Sequence, residues 1–158
     1  MDDVRVGEMT QDSAITQQMR DAIGVESEPA VHDVEKGAIV KFARAIGDPN
    51  PAFNDDSTLR GMVASPTFLR SMLPGPLTVE ADSPYKANLD GGSEWEYFGP
   101  VRPGDRITVT TKVLDIYERV GRLGNMLFII RETRYVNRIA ELVAVQRTTA
   151  ISYDPLGE

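Results

Sequence analysis

The sequence predicts an α+β domain, because its two halves differ in hydrophobic periodicity. In the first half, apolar residues recur at helical spacing in short segments broken by glycine and proline. In the second half, apolar and polar residues alternate over three long segments, as in strands with one buried face. A chain of 158 residues is long enough for one domain with a substantial core. Helices followed by antiparallel strands predict one layer packed on another.

Two helices are predicted before residue 48. Residues 10–24 ("TQDSAITQQMRDAIG") have apolar side chains at roughly helical spacing, and Gly24 is expected to end the helix. Residues 35–47 ("EKGAIVKFARAIG") predict a second helix that stops at Gly47. Its expected apolar stripe consists of Ala38, Ile39, Phe42, Ala45 and Ile46.

A third helix is predicted over residues 65–73 ("SPTFLRSML"). Ser65 is expected to cap it, and Pro66 suits the first helical turn. The sequence "PGP" at 74–76 ends the segment. Its apolar content predicts a buried helix with the later strands curling around it. Residues 28–34 ("EPAVHDV"), between the first two helices, are predicted to be short and extended.

Four strands are predicted in the second half. The first, residues 93–98 ("SEWEYF"), is short, whereas residues 105–120, 126–136 and 141–153 are long and rich in β-branched residues. The turn at 137–141 ("NRIAE") lacks the glycine expected in a hairpin, so its geometry stays open.

Composition excludes several classes of function. Formal net charge is −7 and the basic residues are scattered, so nucleic-acid binding is not expected. The chain has no cysteine and one histidine, His32, which argues against a metal site. Glycine-rich nucleotide-binding motifs and apolar runs long enough for a membrane span are absent from the sequence. The N-terminal "MDDVRVGEMTQD" has no secretory apolar core, so a cytoplasmic protein is expected.

The segment 42–53 ("FARAIGDPNPAF") has the most distinctive local chemistry. Asp48 and Asn50 lie in a turn between two prolines, immediately after a predicted helix end. Asp and Asn side chains commonly bond back to turn amides, so a structural role accounts for both residues. A carboxylate held so rigidly also suits catalysis, and the pattern alone leaves both roles open.

This segment and "GMVASPTFL" at 61–69 resemble the MaoC-like dehydratase family, most closely the N-terminal half of its two-hot-dog members. The later "LDGGSEWEYFGPVRPGDRITVTTKVLDIYE" is similar to the same half. The resemblance implies a hot-dog fold, a curved antiparallel sheet wrapped around a central helix. It implies a single such domain over 31–158, and the helix predicted before it forms a helical extension over 1–30. It also implies acyl thioester substrates carried on coenzyme A or acyl carrier protein, and no further cofactor.

The resemblance assigns site residues by position. Active members carry a G-D-x-N-P-x-H motif whose Asp and His activate water. Asp48, Asn50 and Pro51 match it, but Phe53 stands at the histidine position. Asp48 is therefore the candidate catalytic residue. The candidate substrate-binding residues are Asn50, Phe53, Pro66, Thr67 and Phe68, the last three because the start of the central helix polarises the thioester carbonyl in this family.

Three functions are compatible with the sequence. The first is a subunit of a (3R)-hydroxyacyl-thioester dehydratase or enoyl-CoA hydratase, which shapes the acyl tunnel beside a homologous partner that carries the Asp/His motif. The second is a homodimeric hot-dog enzyme, a thioesterase or atypical hydratase, that uses Asp48. The third is a non-catalytic acyl-CoA binding module. Phenylalanine cannot replace an imidazole in acid–base chemistry, so the isolated chain is predicted to be a poor hydratase.

Overall fold

The fold is a five-stranded antiparallel sheet that carries its helices on one face. The computed structural model describes residues 13–55, 61–79 and 81–155. The strands are β1 (Ala30–Asp33), β2 (Ala87–Tyr97), β3 (Arg106–Gly121), β4 (Gly124–Asn137) and β5 (Leu142–Tyr153). Their order in the sheet is β1-β3-β4-β5-β2. The three long predicted strands are thereby confirmed as its centre.

Strand β2 is nearly twice as long as its predicted core at 93–98. Most of its side chains are exposed, so the alternation that reveals a half-buried strand is weak there. Gly91 lies against β5, where a Cβ would stand 2.8 Å from Thr149 Cγ2. The pairing with β5 shifts register between Asp90 and Ser93. A bulge at Gly91 and Gly92 thus interrupts the alternation, so the sequence pattern does not predict the first half of the strand.

The β4–β5 turn closes without glycine. Asn137 Oδ1 accepts hydrogen bonds from Ile139 N–H at 3.1 Å and Glu141 N–H at 2.9 Å. Ala140 takes the left-handed conformation, with φ 64°. The asparagine side chain therefore provides the local bonds that make this turn possible.

The helices are α1 (Gln17–Ala22), α2 (Lys36–Ala45), α3 (Pro51–Asn54) and a 3₁₀ helix (Pro66–Ser71). Helix α1 starts at a capping box on Thr16, and the expected stop at Gly24 is confirmed by its φ of 83°. Residues 10–12 of the first predicted helix lie outside the described residues. Within the described part of the chain, no helix is long and apolar enough to cross a membrane.

The stripe predicted for α2 is only partly correct. Ile39 and Ala43 are its buried residues, whereas Ala38, Ala45 and Ile46 are exposed. Residues four apart lie above one another on a helix, so Ile39 and Ala43 form a narrow contact. Phe42 is partly buried and packs against the hydrophobic core, and Ile46 lies at the C-cap, beyond the last helical residue.

The predicted helix at 65–73 is shorter and tighter than expected. It is a six-residue 3₁₀ helix with Phe68 and Leu69 buried. Ser71 Oγ donates to Phe68 O at 2.7 Å, a local bond that suits the tighter turn. The prediction that Ser65 caps the helix is wrong: its buried hydroxyl has no hydrogen-bond partner among the described residues.

Two hydrophobic clusters fill the space between the sheet and the helices. The first core packs the 3₁₀ helix and α2 against the sheet, and it includes Ile39, Phe68, Leu69, Ile107, Val109, Tyr135 and Ala144. The second core packs α1 against the sheet further along the strands, and it includes Met19, Ala22, Val113, Ile116, Leu127 and Ile129. The sheet therefore has one covered face and two separate apolar regions.

Candidate functional site

The candidate site begins at the end of α2. Gly47 has φ 70°, which a glycine adopts without steric cost. Its N–H donates to Arg44 O at 3.1 Å, and the N–H of Asp48 donates to Ala43 O at 2.9 Å. This pair of bonds is a Schellman motif, which ends the helix and sets the direction of the next residues.

The polar side chains of the turn bond to the turn itself. Asp48 Oδ1 accepts from Asn50 N–H at 2.9 Å, and Asn50 Oδ1 accepts from Ala52 N–H at 3.0 Å, which caps α3. Asn54 Nδ2 donates to the backbone oxygens of Asp48 and Asn50, both at 3.0 Å. These four bonds and the prolines that flank Asn50 explain the rigidity of the segment.

Helix α3 places Phe53 at the edge of an apolar cavity of about 220 Å³. The cavity lies between α3, the start of the 3₁₀ helix and the end of β2, and its lining includes Phe53, Ser65, Pro66, Leu69, Tyr97 and Val101. Asp48 and Asn50 do not line it. The candidate residues are thus divided: Phe53 and Pro66 meet at the cavity, whereas the polar pair stays in the turn.

Among the described residues that line this cavity, Tyr97 is the one with a titratable side chain. Its hydroxyl donates to Pro66 O at 3.1 Å, and burial raises its pKa above the usual value. A phenol in this state remains protonated at neutral pH and acts as a donor, not as a base. Its ring stacks on Trp95 with centroids 5.7 Å apart, which fixes its position.

The start of the 3₁₀ helix offers fewer free donors than its sequence suggests. Pro66 has no N–H, and the N–H of Phe68 donates to Ser65 O at 2.9 Å. Thr67 is the remaining candidate donor in this turn. The ring of Phe68 lies in the first core, edge-on to Phe42 at 5.6 Å, and not in the apolar cavity. The cavity therefore suits an apolar group, and the side-chain hydroxyls of its lining are those of Ser65 and Tyr97.

The sequence did not show that Ser65, Tyr97 and Val101 would line one cavity. These residues come from two distant segments, and only the return of β2 past the 3₁₀ helix brings them together. No group of acidic or histidine side chains within the described ranges could hold a metal ion.

Comparison with solved structures places this fold among hydratase and dehydratase hot-dog proteins. A chain in the ChsH1-ChsH2 complex from Mycobacterium tuberculosis matches with a TM-score of 0.76 and 21% identity, covering 89% of this chain and 92% of that one. A MaoC-like dehydratase from Rhodospirillum rubrum matches with a TM-score of 0.64 and 26% identity, covering 85% and 95%. The C-terminally truncated HadBC (3R-hydroxyacyl-ACP dehydratase) complex from M. tuberculosis gives 0.65 and 20%, covering 84% and 98%. The predicted α+β hot-dog fold is confirmed.

Sequence comparison identifies the family. The profile described as "FAS1-like, dehydratase domain region" matches residues 21–146. The chain belongs to this family, and the predicted MaoC-like resemblance is confirmed. A UPF0336 protein of Streptomyces coelicolor is 31% identical over 102 residues, which cover 58% of this chain and 68% of that protein.

Proposed function

We propose that this chain is the acyl-binding, non-catalytic half of a (3R)-hydroxyacyl-thioester dehydratase or enoyl-CoA hydratase. The observation that carries the proposal is Phe53. It stands at the motif position of the general base, and it lines the apolar cavity. An apolar ring there removes acid–base capacity and adds a surface for an acyl chain.

The proposed reaction adds water to an enoyl thioester or removes it from a 3-hydroxyacyl thioester. The dehydration direction needs a base for the α-proton and an acid for the departing hydroxyl. Phe53 can do neither, and one oxygen of Asp48 is already bonded to the N–H of Asn50. The catalytic Asp/His pair would therefore come from a homologous partner, while this chain holds the acyl group carried on coenzyme A or acyl carrier protein.

The sheet provides a surface for such a partner. Strand β2 ends the sheet, and in the described part of the chain its backbone pairs on one side only, with β5. An eleven-residue unpaired edge is a template for another strand. Two of the similar solved structures are complexes of named hot-dog chains, ChsH1-ChsH2 and HadBC. Both observations support assembly with a homologous subunit.

The test is an assay of the purified chain alone and with a hot-dog protein from the same organism that carries the full motif. Loss of enoyl-thioester absorbance measures hydration of crotonyl-CoA and octenoyl-CoA. Little activity is expected from the isolated chain, and rapid turnover from the mixture. Rapid hydration by the chain alone would overturn the proposal and favour a homodimeric enzyme. Rapid hydrolysis of acyl-CoA, detected as free thiol, would favour a thioesterase.

A further inference from the structure

A band of polar side chains crosses the covered face of the sheet between the two cores. On β4, Arg131 and Thr133 point to the same face as Ile129 and Tyr135, by the alternation of the strand. Their cross-strand partners on that face continue the band, because Thr133 lies opposite both Thr111 and Gln146. A polar layer inside an apolar face costs free energy unless it is hydrogen-bonded or bound to something.

This band forms one wall of a second cavity, of about 350 Å³, that we call the polar cavity. Its polar lining consists of Arg70, Thr111, Arg131, Thr133, Gln146 and Thr148. The loop at 74–77, which follows the 3₁₀ helix, forms another wall. The volume is within the range of pockets that hold small ligands.

Hydrogen bonds within the band already use most of its neutral donors. Thr133 Oγ1 donates to Thr111 Oγ1 at 3.0 Å, and Thr111 Oγ1 donates to Glu132 O at 3.1 Å. Gln146 Nε2 donates to Ser93 Oγ at 3.3 Å. Among the described residues, the two guanidinium groups and the hydroxyl of Thr148 are side-chain donors at the cavity that these bonds do not use.

The charge at the polar cavity is positive, although the chain as a whole carries −7. Both charged residues of the lining are arginines, and neither makes an ion pair within 4 Å with a carboxylate of the described residues. Burial lowers the pKa of Arg131, with a smaller opposing effect from the charge of Asp82. A partly desolvated guanidinium without a paired carboxylate is stabilised by an anionic ligand.

We propose that the polar cavity binds a carboxylate at the far end of the acyl group. Two guanidinium forks and one hydroxyl match the two oxygens of a carboxylate; the same forks would also accept a phosphate, which coenzyme A alone supplies in the test below. The placement also fits, because both cavities border the 3₁₀ helix: Pro66 and Leu69 line the apolar cavity, and the next residue, Arg70, lines the polar cavity. The inference rests on the proposed function for the identity of the ligand, but the carboxylate site stands on its own contacts.

The experiment compares acyl-CoA pairs that differ only in a terminal carboxylate: octanoyl-CoA with suberyl-CoA, and dodecanoyl-CoA with dodecanedioyl-CoA. Binding to the full chain is followed by the fluorescence of its single tryptophan, Trp95, which stacks on Tyr135 at 5.6 Å. At least one carboxylated ligand is expected to bind roughly tenfold more tightly than its partner, as charge-assisted hydrogen bonds do.

Two matched variants test the role of Arg131. Arg131→Gln is expected to abolish the preference, because it removes the charge and keeps a polar side chain. Arg134→Gln is the control, since Arg134 lies on the same strand and the opposite face, and it should leave the preference unchanged. Thermal melts of both variants establish that they are folded. If Arg131→Gln unfolds the chain, Arg70→Gln replaces it, with the same expected loss.

Several results would overturn the inference. Equal affinities within both pairs would do so, as would equal effects of Arg131→Gln and Arg134→Gln. Binding of coenzyme A alone that is lost in Arg131→Gln would assign the cavity to a carrier phosphate instead. Free suberate separates this inference from the proposed function: if it binds and Arg131→Gln abolishes its binding, while no acyl-CoA binds, the carboxylate site stands and the acyl-thioester function fails.

Discussion

Substitution of Asp48 separates a structural role from a catalytic one. Within the described part of the chain, the side chain makes one hydrogen bond, from Asn50 N–H to Oδ1 at 2.9 Å. Asp48→Ala removes that acceptor, whereas Asp48→Asn keeps an oxygen in the same position and removes the charge. A structural role predicts that only the alanine variant is affected. A catalytic role predicts that both variants lose activity.

The expected size of the effect follows from that single bond. Loss of one hydrogen bond in a partly exposed turn lowers the free energy of unfolding by about 1 kcal/mol. For a chain of this length, that corresponds to a fall in Tm of about 2–4 °C. Asp48→Asn is expected to melt within about 1 °C of the wild type. A matched control is Asp90→Ala, which removes a similar bond, to Gly92 N–H at 2.8 Å, from strand β2.

The assay is a thermal melt combined with hydration of octenoyl-CoA in the presence of the motif-bearing partner. Asp48→Asn should retain the turnover of the wild-type pair, and Asp48→Ala should retain it below its lowered Tm. A fall of about 10²–10⁴-fold in kcat for Asp48→Asn, with an unchanged melt, would refute the structural reading. Asp48 would then be an acid–base group of this chain.

The remaining predictions concern the cavity and two backbone positions. Phe53→His restores the residue types of the motif. Hydration by the isolated chain should still rise far less than the roughly 10²–10⁴-fold of an optimised acid–base group, because the cavity around residue 53 is apolar. A gain of that full size would show that only the imidazole was missing. Ala140→Gly relieves a left-handed alanine at φ 64° and should raise the free energy of unfolding by about 0.5 kcal/mol, measured by urea denaturation. A decrease would mean that unfolded-state entropy outweighs the strain. Gly75→Ala places a Cβ 2.3 Å from Glu28 O and should destabilise the fold by about 1–3 kcal/mol, whereas Gly37→Ala, with nothing within 4 Å, should not. Equal melts for these two variants would contradict the close approach at the loop.

The sequence predicted those structural features correctly that depend on residue types within a few positions. The alternation over 105–120 predicted the buried face of β3, and Ile107, Val109, Thr111 and Val113 are all buried. Gly47 ended α2 as expected, because the left-handed residue after a helix favours glycine. The turn at Asp48 bonds to itself, so neighbouring residues contain all the information that defines it.

Other features depended on contacts between distant segments. Ser65 has the residue type of a helix cap, but packing buries its hydroxyl beside the apolar cavity instead. The segment 66–71 has apolar residues that suit an α-helix, yet it forms a six-residue 3₁₀ helix with Phe68 and Leu69 buried. Strand β2 is mostly exposed, and its length follows from pairing with β5, not from its own pattern.

The sequence by itself determined the alternation of polar and apolar residues along the strands, the rigid turn at Asp48, and the phenylalanine at position 53, where the motif has histidine. Each is a property of residue type and spacing within a few positions. Tertiary structure alone decided the two cavities. Tyr97 reaches the 3₁₀ helix through the return of β2, and Arg70 and Arg131, sixty-one residues apart, line one cavity only because that helix packs over β4. The sequence does not show which distant residues come close together, since packing of the whole sheet establishes which side chains meet on its covered face.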